Sequence, residues 1–119
     1  MSPRFVYLQV LASIRHGEET LRSKPMILNN LPNAQKSNEA HEVLITATEK
    51  TRSSVMQVQA DARQLHESDF MEPAREVAET VRHAWQALAR HHDDRTKLTA
   101  AAIKFYQTVE QVGWLQADL

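Results

Sequence analysis

Apolar and small positions recur along this chain at alternating intervals of three and four. In the middle third, Ala34, Ser37, His41, Leu44, Thr48, Thr51, Val55, Val58, Ala62 and Leu65 keep that rhythm without a break. An average spacing of 3.5 residues places every member on one stripe, so the series predicts a coiled-coil seam on a single long helix. The last third repeats the pattern through Ala74, Val77, Val81, Ala84, Leu88, His91, Arg95, Leu98, Ala102, Phe105, Val109 and Val112. A shorter series, Tyr7, Leu11, Ile14, Glu18 and Leu21, precedes both. Three helices are predicted, over about residues 4–22, 32–67 and 73–112, with 113–119 as a C-terminal end.

The breaks between the series coincide with proline. Pro3 opens the chain, Pro25 and Pro32 bracket one connection, and Pro73 follows the second. Proline is tolerated in the first helical turn and not beyond it, so each marks a helix start or stop. In "SKPMILNNLPNA", Asn30 suits an N-cap, and Met26, Ile27, Leu28 and Leu31 are apolar enough to plug the bundle end. In "ESDFMEPAR", Asp69 and Glu72 have capping-box spacing, with Phe70 and Met71 expected to fold back on the core. Gly17, inside the first helix, is either a point of close helix approach or a tolerated cost of about 1 kcal/mol. Short connections and a sustained 3,4 repeat predict an elongated, all-α, antiparallel three-helix bundle. Its helices would cross at about +20° with left-handed coiled-coil packing.

Composition agrees and removes other classes. Two glycines in 119 residues leave too few turns for an all-β domain. A net charge of -1 gives no electrostatic footprint for nucleic acid or a membrane surface. Cysteine is absent, so disulfides, thiolate metal sites and cysteine nucleophiles are excluded. No apolar run approaches the ~20 residues of a membrane span, and no signal-peptide stretch opens the chain. A soluble, cytoplasmic protein is the expectation.

The candidate chemistry lies in "LARHHDDRTKL", residues 88–98, where His91, His92, Asp93 and Asp94 stand in a row. Consecutive helical residues point about 100° apart, so the four cannot converge on one ion. Only His91 and Asp94 share a face. The remaining histidines (His16, His41, His66 and His83) are expected at other heights, so no metal or cofactor site is predicted. Asp93, Asp94 and Lys97 read as surface, with an Asp94–Lys97 ion pair. If the second and third helices fold about residues 68–72, facing positions have numbers summing to about 140. His91 and Arg95 then fall level with Thr48 and Thr51, forming a polar layer in the core. Glu18 reads as a seam carboxylate that reaches solvent. No phosphate-binding glycine loop or strained nucleophile turn is present, so no catalytic residue is predicted.

One set of spacings is similar to a known family. Trp85-x2-Leu88-x6-Arg95 resembles the third helix of a spectrin repeat, and His41 within "NAQKSNEAHEVL" resembles that family's second helix. The end, "FYQTVEQVGWLQADL", looks like the passage into a following repeat, with Phe105 and Trp114 at its aromatic positions. Together with "IRHGEETL", the pattern is similar to the repeats of Trio- and kalirin-type Rho exchange factors. Leu98 stands one place before the family's usual leucine, and the first helix is short for a full repeat.

The resemblance implies a non-enzymatic rod module of a larger protein. Such a module spaces domains and docks neighbouring repeats or other proteins, in a cytoskeletal or Rho-signalling setting. Because the third helix outruns the first, Phe105, Tyr106, Trp114 and Leu115 form a candidate interaction patch for a next repeat or for self-association. Equally, Phe105 caps the bundle and the rest frays after Gly113. Two other classes stay open: a free-standing adaptor that binds an amphipathic helix, and a metal- or cofactor-binding bundle.

Overall fold

A computed structural model describes the backbone of residues 3–64 and 71–117 and the side chains of 5–63 and 75–113. It consists of three helices, α1 (Pro3–Ser23), α2 (Leu31–Gln64) and α3 (Met71–Ala117), and contains no strand among the described residues. Proline and asparagine set the boundaries as their chemistry requires. Pro3 occupies the first position of α1, which stops two residues before Pro25. Asn30 caps α2: its side-chain oxygen accepts from the Asn33 amide at 2.8 Å and its carbonyl from the Ala34 amide at 2.9 Å. Asp69 and Phe70 lie outside the described residues, as do the side chains of Met71 and Glu72.

The third helix is longer than its seam predicts. It runs through Gly113 to Ala117, with no glycine in the left-handed conformation that would close a helix. Trp114, Leu115, Gln116 and Ala117 tolerate helix well, so one glycine costs too little to stop it.

The core draws on all three helices. Tyr7, Val10, Leu11, Ile14 and Leu21 come from α1, Val55 and Val58 from α2, and Ala78, Val81 and Leu88 from α3. Along α1 and α3 the contacts advance together: Glu18 meets His91, and Arg95 meets Leu21. Along α2 and α3 they run in opposite senses, with His41 against Thr96 and Thr48 against His92. That order is compatible with an antiparallel bundle. The molecule measures 77 × 22 × 16 Å, its long axis close to the ~70 Å expected of a 47-residue helix.

Two local features shape this packing. A Cβ on Gly17 would sit 3.1 Å from Leu88 Cδ2, so the missing side chain lets α1 lie against α3 at that level. Of the two readings of Gly17, close approach is the one the geometry favours. Leu88 itself is fully buried. Second, α1 ends level with Arg95, and beyond it the connection lies against Thr99 and Tyr106 without continuing a helix along α3. Leu98, Phe105, Val109 and Val112, all on the side of α3 that faces α1 further up, are therefore 56, 61, 51 and 46% exposed.

Candidate functional site

Halfway along the molecule the apolar core gives way to a layer of histidine, threonine and arginine. Sequence spacing assigns Thr48, Thr51, His91 and Arg95 to one layer, but the structure divides these residues between two interfaces. Thr48 Oγ1 meets His92 Nε2 at 2.9 Å, not His91. His91 turns towards α1, where its Nδ1 lies 3.0 Å from the Glu18 carboxylate. Thr51 and His92 both line a trough of about 630 Å³ between α1 and α2. Arg95 reaches past the end of α1 and donates through Nη2 to the carbonyls of Leu21 (2.6 Å) and Lys24 (2.9 Å). A 3,4 repeat marks one stripe per helix, whereas a helix packed against two neighbours needs two adjacent stripes. On α3, His91 and Arg95 belong to the α1 stripe and His92 and Thr96 to the α2 stripe, while Thr99 meets Met26 of the connection.

The residue that sequence spacing misplaces most is His41. Expected at another height, it packs directly on His92, with ring centroids 5.3 Å apart and planes inclined by 37°. Both rings are buried, at 2% and 8% exposure. His41 Nε2 lies 2.9 Å from Thr96 Oγ1 and 3.0 Å from the His92 carbonyl. Its lone seam imidazole and His92, one place off the α3 seam, were the available signal: the assumed register puts Thr48 level with His92, as found, but His41 level with Thr99, about two turns from the ring it reaches.

The hydroxyls determine how these rings are protonated. Thr48 donates its only hydroxyl proton to the Leu44 carbonyl at 2.9 Å, so its oxygen accepts from His92 Nε2–H. Thr96 donates in the same way to the His92 carbonyl at 3.0 Å, and both oxygens then accept from His41 Nε2–H. Each imidazole therefore carries its proton on Nε2. Each Nδ1 is left as an enclosed lone pair without a partner among the described residues.

Burial pushes both imidazoles below the usual histidine range. For His41, Arg95 and His91 add to that effect, while the His92 carbonyl and Glu42 oppose it. For His92, His41, His91 and Arg95 add to it and Glu18 opposes. Burial also lowers Arg95 from its normally high value.

Below this layer α3 clamps the connection between α1 and α2. Thr99, fully buried, donates to the Arg95 carbonyl at 2.7 Å and touches the Met26 sulfur at 3.2 Å. The Tyr106 hydroxyl donates to the Leu28 carbonyl at 2.7 Å. From α2, the Ser37 hydroxyl accepts from the Ile27 amide (3.0 Å) and donates to its carbonyl (3.1 Å). Met26, Leu28 and Leu31 are half-buried here, but Ile27 points outward at 54% exposure, so the apolar plug lacks that member.

Of the candidate interaction patch, Tyr106 is half-buried in this clamp and Phe105 is exposed, its ring edge-on to Tyr106 with centroids 5.2 Å apart. The side chains of Trp114 and Leu115 lie outside the described residues. Lys97 bonds Asp93 at 2.9 Å, one turn back, and not Asp94 as the spacing suggested; that bond raises the Lys97 ammonium above its usual value. Among the described residues, no group of three or more histidine, aspartate or glutamate side chains is placed to hold a metal ion. No helix there is long and apolar enough to cross a membrane. No protein-family model matches the sequence, and no solved structure matches the chain with significance.

Proposed function

We propose that the chain is a non-enzymatic, spectrin-repeat-like segment of a larger protein, acting as a rod-like spacer and protein–protein scaffold. The observation that carries this reading is the shape: a rod 77 Å long and 22 Å across, with one helix running almost its whole length. The sustained 3,4 spacing supports left-handed coiled-coil packing along that rod. Trp85, Leu88 and Arg95 support the family likeness, since Leu88 is core and Arg95 ties the third helix to the first. The partner is a neighbouring repeat, another protein or a second copy, and the stripe Leu98–Phe105–Val109–Val112 is the surface offered to it. The likeness to Trio- and kalirin-type repeats makes Rho signalling and the cytoskeleton the settings to examine first, in the cytoplasm.

Small-angle scattering of the purified chain at low concentration tests the rod. A maximum dimension near 77 Å with a rod-like cross-section is expected; a compact sphere would sink the proposal. The same bare stripe favours, as a second reading, a free-standing adaptor that lays an amphipathic partner helix along α3. A homologous repeat in the natural sequence flanking these residues would decide for the rod.

A further inference from the structure

Among the features that the rod reading leaves unused, the buried His41–His92 pair is the one with chemistry of its own. We propose that this pair is an acid-sensitive latch: a proton taken up by either ring loosens α2 from α3 at mid-length. The inference is independent of the family likeness and rests on three geometric facts.

First, the rings lie against one another inside the core, with centroids 5.3 Å apart and planes tilted by 37°, so a charge on one is held close to the other. Second, the His92 carbonyl requires His41 Nε2 to donate, and Thr48, with its proton directed at the Leu44 carbonyl, accepts from His92 Nε2, so Nδ1 is the nitrogen on each ring left to take a proton. Third, each Nδ1 is enclosed and faces no acceptor among the described residues. A proton there creates a buried cation with an unpaired N–H, an arrangement that folded proteins avoid.

Charged groups face the pair from all three helices and the α1–α2 connection, and among those that act on the rings both signs occur. On α3, Arg95 and His91 flank the pair. Lys24 of the α1–α2 connection and Lys36 of α2 line a recess with His41, and His16 of α1 and Lys50 of α2 line the trough with His92. Among the described residues, the carboxylates that act on the pair are Glu18 and Glu42. Glu18 of α1 is engaged by His91, and Glu42 of α2 is exposed and holds Asn38 at 3.3 Å. Neither is bonded to an Nδ1.

The direction with pH follows from linkage. A histidine held below its unfolded value binds fewer protons in the folded state than in the unfolded one. Its neutral form costs nothing above about pH 6.5, and stability falls as pH drops below that point until the folded group itself titrates. Thr96 and Thr99, one and two turns on from His92, contact His41 and Met26, so release at the pair is transmitted to the 24–30 connection.

Urea unfolding at pH 7.5 and 5.5 tests this. Each imidazole that stays neutral is expected to raise the unfolding constant about 10-fold between those values, about 100-fold for the pair. The His41→Gln/His92→Gln double variant keeps an N–H donor at each Nε2 position and should lose that acid response. His91→Gln should retain it. If the double variant fails to fold, imidazole nitrogen NMR of the unaltered chain gives the answer instead. The expected spectrum has both rings as Nε2–H tautomers, still neutral at pH 6 in the folded protein. Either ring protonating at or above pH 6.5 while folded overturns the proposal, as does an unchanged acid response in the folded double variant.

Discussion

At the scale of single residues, Arg95 shows how one side chain serves two helices. Its stem lies on α3, and its guanidinium satisfies the Leu21 and Lys24 carbonyls at the end of α1. A helix C-terminus leaves its last carbonyls unpaired and carries partial negative charge, so a cation that bonds them there is favoured twice. Hydrogen bonds from a charged donor contribute about 1.5–3 kcal/mol. Replacing Arg95 with Met is therefore expected to cost about 2–3 kcal/mol in urea unfolding, with faster amide exchange at the end of α1. A cost below about 0.5 kcal/mol would mean the guanidinium is only a surface contact. Sequence spacing singled this residue out but placed it opposite threonines. Its partners are backbone carbonyls, which leave no trace in the order of side chains.

At the scale of elements, the α1–α2 connection shows how much of a short segment can be ordered by its neighbours. Asn30 begins α2 through two hydrogen bonds, Ser37 ties down Ile27, and α3 supplies Thr99 and Tyr106 to Met26 and Leu28. Asn30→Ala removes the side-chain half of the cap and should lower stability by about 1 kcal/mol. A chemical-denaturation midpoint that moves accordingly, with an unchanged slope, would verify it. The cap was legible in the sequence because it depends on the residue's own chemistry at a fixed offset. The inward turn of Met26 and the outward turn of Ile27 were not, since adjacent apolar residues compete for the same space and only the packing selects between them.

At the scale of the whole molecule, the unequal helix lengths govern both shape and surface. With 21 residues, α1 covers only part of the 47-residue α3, so the apolar stripe outlives its partner. Residues on that stripe make little contribution to folding. Phe105→Ser with Val109→Ser should leave the thermal midpoint of dilute protein nearly unchanged, because exposed positions typically count for less than 0.5 kcal/mol each. A large drop in melting temperature would show instead that the stripe is packed in solution, by a second copy or by the chain itself.

Hydrophobic periodicity, together with proline and the Asn30 cap, determined that this protein is three helices, where two of them begin, and which stripe of each is apolar. Those properties are local, set within a few turns by side-chain size, proline geometry and capping chemistry. Tertiary structure decided which residues share the polar layer. It paired His41 with His92, gave His91 to Glu18, and sent Arg95 to the end of α1. The reason is that register between long helices is a cooperative choice, settled by the whole interface at once. An assumed hairpin that brings Thr48 level with His92 still does not say which ring His41 reaches or which side of α3 His91 takes.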